Sequence, residues 1–174
     1  DFSAMIKRSR GVAEGMSKGV QFLMKKNKIT VINGTATLAR GKKVVVTDSE
    51  GKKAEYSADH IIVATGSRAK QLPNLPIDGK KIIGYREAMS LPTQPARMVV
   101  VGAGAIGVEF AYFYHSIGTE VTVVEFLEQG LLPREDAEVS KELSKVFTKS
   151  GIKVMANTAV EKVDTTGEKC LVTV

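Results

Sequence analysis

The sequence predicts an α/β chain: a βαβ unit on a parallel sheet, preceded by a helix and a meander of antiparallel strands. Three observations carry that prediction. A β-branched run at residues 98–101 leads into three closely spaced glycines, an apolar segment of helix length and a second β-branched run at 121–124. Between residues 29 and 64 the apolar spacing shortens to two and turn residues recur, the pattern of short paired strands. Over the first 26 residues the apolar positions instead keep helical spacing.

In chain order, residues 4–26 predict a helix in which Val12, Met16, Val20 and Leu23 share a face, with lysines and arginines between them. Gly11, Gly15 and Gly19 stand four apart and form a smooth stripe. Such a stripe admits another backbone or a flat ligand, and tight packing against a neighbouring element is the preferred reading. Asn27 ends the helix. Residues 29–32, 43–47, 53–57 and 60–64 are the strand candidates, punctuated by Gly34, Gly41 and Ser49-Glu50-Gly51. Residues 68–95 hold Pro73, Pro76, Pro92 and Pro95 and read as an irregular connection between domains. Beyond the βαβ unit, residues 136–149 predict a helix stopped by Gly151. Strands are expected at 152–155 and 160–163. The expected organisation is a first segment 1–75, a linker 76–95 and a second segment 96–174. A start at Asp1 and an end at Val174 within an apolar run are what a piece of a longer protein would have.

Composition narrows the classes. The 174 residues are 43% hydrophobic and 25% charged, an ordinary globular balance. No apolar run approaches the ~18 residues that would span a bilayer, so no membrane role is expected. The net charge of +6 comes from lysine pairs scattered beside turns, without interleaved aromatics. That distribution argues against a nucleic-acid surface. Cys170 is the single cysteine, so no internal disulfide is possible.

The chemistry concentrates around the glycines. Gly102, Gly104 and Gly107 fit the G-x-G-x-x-G spacing. In that pattern the first glycine permits the tight turn out of the strand. The second lets the backbone approach phosphates, and the third lets the helix lie close on the sheet. The helix N-terminus directs free N–H groups and partial positive charge at an anion. Glu125 closes the next strand, 21 residues after Gly104, where an acid can accept from both hydroxyls of a ribose. Strand, triplet, helix, strand and terminal acid together predict a dinucleotide site in a Rossmann-like unit; an ordinary glycine turn is the bland alternative. Phe126, Leu127, Glu128 and Gln129 are not basic, and Arg134 lies further on, so NAD is expected over NADP.

A second glycine turn follows the run IIVATGS at residues 61–67. By itself a strand ending in Thr-Gly is usually just a turn. The order IIVATGS, proline-bearing connection, VVVGAGAIGVEFA resembles the mid-section of the flavoprotein disulfide reductases, most nearly their dihydrolipoamide dehydrogenase group. Residues 33–36 (NGTA), 86–92 (REAMSLP), 124–128 (VEFLE), 138–141 (EVSK) and 157–160 (NTAV) add to the resemblance, which covers essentially the whole chain. It implies that residues 1–75 belong to an FAD-binding domain and 96–174 to an NAD-binding domain. It implies an Ala36 backbone contact with the FAD adenine, and Thr65, Gly66 and Ser67 along the FAD. Gly102, Ala103, Gly104, Ala105, Ile106, Gly107, Val108, Glu109 and Glu125 would hold NAD, with Val160 at its adenosine end. Glu109 would lie toward the nicotinamide, although an acid early in a helix is favourable for its dipole alone.

The resemblance further implies a homodimeric parent enzyme of the bacterial cytoplasm or mitochondrial matrix. That parent would oxidise the dihydrolipoamide of a 2-oxo acid dehydrogenase complex through a redox disulfide and FAD to NAD. The family's cysteine pair, its first FAD phosphate loop and its acid–base His–Glu pair have no match in this chain. No catalytic residue and no metal ligand is assigned, and the chain alone is expected to be inactive. Cys170 is expected as a buried apolar filler, and His60 and His115 as structural or surface residues. A sister reductase, of the mercuric or NADH-oxidising type, and a non-enzymatic nucleotide-binding module are the alternatives.

Overall fold

The computed structural model describes residues 1–174. It separates into two compact units, Arg8–Arg68 and Ala69–Val174, the latter joined by Asp1–Lys7. The expected α/β class is found: a helix and an antiparallel meander, then a βαβα arrangement on a parallel sheet.

Helix α1, Phe2–Lys26, begins the chain and buries none of its residues. No atom lies within 4 Å of where a Cβ on Gly11, Gly15 or Gly19 would stand. The close packing expected of that glycine stripe is therefore not made within this chain. In the Arg8–Arg68 unit, β1 (Thr35–Ala39), β2 (Lys43–Thr47) and β3 (Lys53–Ser57) pair antiparallel in sequence order. Thr35 lies opposite Thr47, and Lys43 opposite Ser57. Two strand expectations fail here. Residues 29–32 and 60–64 form no strand, and Ile29 N–H instead donates to Met24 O at 2.9 Å. A strand is held by a neighbour's ladder of hydrogen bonds, and neither segment pairs with a strand of this chain. The strand that does open the meander is β1, just past the first of them.

In the Ala69–Val174 unit the order is α2 (Tyr85–Ala88), β4 (Arg97–Val101), α3 (Ala105–Ser116), β5 (Glu120–Val124), α4 (Ala137–Ser150), β6 (Lys153–Met155), β7 (Lys162–Asp164) and β8 (Leu171–Thr173). Strands β4, β5 and β6 form one parallel sheet in that order, with α3 and α4 as the crossovers. Parallel strands need such crossovers, and the helices shield one face of the sheet, while Val99 and Val101 of β4 stay exposed. Ala111, Tyr114, Val121, Val123, Leu131 and Ile152 are at most 1% exposed and form the core. Tyr114 is fully buried, and its hydroxyl donates to the Ala88 carbonyl at 2.6 Å. Burial raises its pKa above the usual phenol value. Helix α4 ends at Gly151, whose φ of 101° gives the expected left-handed stop.

The proline-bearing stretch is less irregular than its composition suggests. Glu87 Oε2 accepts from Gly84 N–H at 2.9 Å, the acidic half of a capping box on the one-turn helix α2. Asn74 Nδ2 donates to the carbonyls of Val160, at 2.8 Å, and Glu161, at 3.1 Å. Lys81 Nζ donates to Thr165 O at 2.7 Å and also to Gly167 O. Both side chains fasten the stretch to the β7–β8 hairpin and the residues leading into it. Cys170 corrects another expectation. It is exposed, lying just before β8 in the turn of the two-stranded β7–β8 hairpin.

Candidate functional site

The site is built where β4 and β5 end side by side. Gly102 N–H donates to Val124 O at 2.8 Å, extending the parallel ladder by one residue. The chain then turns with φ 96° at Gly102, a left-handed conformation that a side chain would oppose. Ala103 is fully buried. Its N–H donates to Glu125 Oε2 at 2.7 Å, and its carbonyl accepts from Leu132 N–H at 2.8 Å. Gly104 is the N-cap of α3, and the first helical bond runs from Val108 N–H to its carbonyl at 3.0 Å. The N–H groups of Ala105, Ile106 and Gly107 consequently have no acceptor in the protein.

The three glycines are there for three different reasons. At Gly102 the reason is the backbone conformation. At Gly107 it is packing, since a Cβ would stand 2.1 Å from Gly102 O. Neither reason applies to Gly104. Its φ of −68° suits any residue, and no atom lies within 4 Å of its Cβ position. Ser, Asp or Asn would cap the helix better there. The open space beyond Gly104 lies at the positive end of α3, where an anionic group would be favoured.

Glu125 reaches this turn from the end of β5. The residue is 8% exposed. Besides the Ala103 bond, its Oε1 accepts from Leu127 N–H at 2.9 Å. Each oxygen thus retains a lone pair for a further donor. Thr158 N–H donates to the Glu125 carbonyl at 2.9 Å and brings the following segment against the end of β5. Val160 lies on that segment, with its side chain buried against Leu75 and Val124. Ile106 and Glu109 are exposed on α3, and Val108 is buried beneath them. Phe126, Leu127, Glu128, Gln129 and Arg134 are exposed.

The structure therefore gathers Gly102 to Val108, Glu125 and the segment bearing Val160 at one end of the parallel sheet. Glu109 points to no partner. The other set is not gathered. Ala36 sits in β1 opposite Val46, while Thr65, Gly66 and Ser67 are exposed on an irregular stretch, with no hydrogen bond joining them to Ala36. His115 Nε2 donates to Ser150 O at 2.8 Å, a link between helix ends, and His60 is exposed. No three or more His, Cys, Asp or Glu are placed to hold a metal. No helix is long and apolar enough to cross a membrane.

Sequence reasoning missed the loop that backs the turn. Ser140, fully buried, donates from Oγ to Leu131 O or, at 2.9 Å, to Gln129 O, while Leu132 clasps Ala103. A serine inside a helix whose hydroxyl serves a distant carbonyl leaves no pattern in the sequence.

Comparison with known proteins places these features in context. Residues 2–174 match the family model described as pyridine nucleotide-disulphide oxidoreductase. The chain is 44% identical over 161 residues to the dihydrolipoyl dehydrogenase of Zymomonas mobilis, covering 92% of this chain and 34% of that protein. It is 47% identical over 163 residues to that of Chlorobaculum tepidum, covering 94% and 34%. With that of Mycobacterium tuberculosis it shares 41% over 174 residues, covering 100% and 37%. Among solved structures it resembles LpdA from Mycobacterium tuberculosis, with a TM-score of 0.88, 29% identity and coverage of 98% of this chain and 38% of that one. It also resembles the HOCl-induced flavoprotein disulfide reductase RclA from Escherichia coli, with a TM-score of 0.80, 25% identity and coverage of 99% and 39%. The chain spans about a third of the length of the curated relatives it matches.

Proposed function

The chain belongs to the pyridine nucleotide-disulphide oxidoreductase family, and from that premise we propose that it is the NAD-binding central segment of a dihydrolipoyl dehydrogenase. In this reading residues 96–174 form the NAD-binding domain, and residues 76–95 are the connection. Residues 1–75 are the adenine side of an FAD domain that includes Ala36, Thr65, Gly66 and Ser67. The observation that carries the reading is Gly104, a glycine that neither the backbone conformation nor the packing requires. Space for a phosphate is a sufficient reason for it.

Each residue then has a task. The free N–H groups of Ala105, Ile106 and Gly107 bind the pyrophosphate with the dipole of α3 behind them. Glu125 accepts from the adenosine ribose hydroxyls and repels a 2′-phosphate. The segment ending at Val160 flanks the adenosine, and Glu109 stands toward the nicotinamide. FAD and NAD, when bound, supply the electron transfer from dihydrolipoamide, and the protein positions them. The whole protein would be a homodimer serving a 2-oxo acid dehydrogenase complex, in the bacterial cytoplasm or mitochondrial matrix. The likeness to RclA supports a sister flavoprotein reductase as the second reading, which the higher identity to dihydrolipoyl dehydrogenases disfavours.

Titration by fluorescence tests the cofactor. NADH is expected to bind more tightly than NADPH, and equal or tighter binding of NADPH would remove the role given to Glu125. The chain alone carries one cysteine, so dihydrolipoamide with added FAD is expected to give no NAD reduction. Turnover above a contaminant control would overturn that expectation.

A further inference from the structure

We propose that Glu125 is a positioning residue for the phosphate cradle as well as an acceptor for the ribose; this rests on the dinucleotide reading above. The geometry is a clamp around one peptide. Ala103 is fully buried, with its N–H on Glu125 Oε2 at 2.7 Å and its carbonyl on Leu132 N–H at 2.8 Å. Gly102 N–H, one residue earlier, is fixed on Val124 O at 2.8 Å. The Glu125 carboxylate is itself held from the other side by Leu127 N–H at 2.9 Å. It therefore links the turn to the loop after β5 before any ligand arrives. Bonds from two amides to one carboxylate are charge-assisted and short. The Ala103 peptide immediately precedes Gly104, Ala105, Ile106 and Gly107, whose backbone faces the anion. The carboxylate thus sets the aim of groups it does not touch.

A consequence follows for specificity. Without the carboxylate, the Ala103 N–H would be buried with no acceptor, which proteins avoid, and the turn would relax to find one. Replacing Glu125 by a smaller or basic residue should then lose NAD without gaining NADP, because the pyrophosphate site common to both would be damaged. A role confined to the ribose predicts the opposite, a simple exchange of one cofactor for the other.

Glu125→Gln separates the two roles. Its amide oxygen can accept from one of the two N–H groups, while its NH2 opposes the other. Amide hydrogen exchange, measured well below the melting temperature and without ligand, should become at least roughly tenfold faster at Ala103 or Leu127. Affinity for reduced nicotinamide mononucleotide, which has a phosphate but no adenosine, should fall by roughly tenfold. An unchanged melting temperature with both effects supports the proposal most strongly. Should Glu125→Gln fold poorly, Glu125→Asp keeps the charge but is shorter by one methylene, and the same two readouts apply. Wild-type exchange at both amides, or unchanged mononucleotide affinity, would overturn the positioning role even where NADH affinity falls. Failure of the wild type to bind NADH at all would instead remove the dinucleotide reading itself.

Discussion

The Ala69–Val174 unit and the Arg8–Arg68 unit both contain β-branched strands and glycine turns, but they differ in what covers them. In the first, Val121 and Val123 are at most 1% exposed beneath their crossover helices. In the second, Val46 is the one buried residue, α1 buries none of its side chains, and Ile62 is 91% exposed. The contrast follows from topology. A βαβ unit brings its own covering layer, because the helix that connects two parallel strands also packs on them. An antiparallel meander satisfies its backbone through tight turns, and nothing in its connections supplies a second layer. Hydrophobic burial is the dominant favourable term in folding, so the two units should respond differently to the same kind of damage.

Two glycines test that contrast, one in each unit. Gly107→Val should have the largest effect. Its Cβ would stand 2.1 Å from Gly102 O, a backbone atom in the closely packed turn. We expect destabilisation at or above the top of the ~1–3 kcal/mol usual for overpacking, read as a lower melting temperature and faster exchange of the β4–β5 amides. Gly34→Ala comes next. At φ 153°, its Cβ would stand 2.6 Å from both Thr47 O and Val46 Cγ1. We expect a cost of ~1–3 kcal/mol, because the clashes are with a backbone carbonyl and the buried Val46 side chain. Exchange should quicken in β1 and β2 and stay unchanged in β4 and β5. Spread of the Gly34 effect into the parallel sheet would break the contrast.

The same contrast explains what could be read from the sequence. The βαβ unit was legible almost to the residue, because its strand, turn, helix and acid are contiguous and their partners lie within one short stretch. Strands β2 and β3 were legible for the same reason, being neighbours across a turn. Residues 29–32 and 60–64 have the composition of strands, but composition does not name a partner, and this chain supplies none. The exposure of Cys170 was missed because strand composition does not show whether a second layer lies above it. At the site, the positions of Gly102, Gly107 and Glu125 followed from spacing. The clamp on Ala103 did not, because it consists of bonds from backbone amides to one carboxylate and from a distant loop. The anchoring bonds of Asn74 and Ser140 were hidden likewise, since a side chain that serves a remote carbonyl has no local signature.

A smaller effect is expected in acid. Asp78 accepts from the N–H of Lys80 at 2.7 Å, Lys81 at 2.9 Å and Ile82 at 3.0 Å. These bonds, that of Lys80 foremost, hold its pKa below the ordinary 3.8. Asp164 is lowered likewise by the Thr166 hydroxyl, at 2.7 Å, and then by the Thr166 N–H, at 2.8 Å. A folded pKa below the unfolded one means that the carboxylate stabilises the fold above the unfolded value. That stabilisation is lost as pH falls through the folded value. The loss should therefore lie below pH 3.8. Asp78 is exposed and Asp164 only partly covered, so the change should be slight. It should appear as earlier loosening of residues 78–82 and the β7–β8 hairpin than of β4–β5, followed by exchange across an acid titration. Loosening of those segments that begins well above pH 4 would contradict it.

The most direct test of the central claim is Gly104→Val, followed by thermal melting with and without NADH. The backbone conformation and the open space at Gly104 permit the side chain, so the unliganded variant should lose no more than the ~1 kcal/mol typical of a poorer N-cap residue. The stabilisation that NADH gives the wild type should be absent, because the new side chain would occupy the place of the phosphates. A variant that melts as the wild type does in both conditions, with the full NADH-induced shift retained, would show that the turn at Gly104 does not hold the dinucleotide.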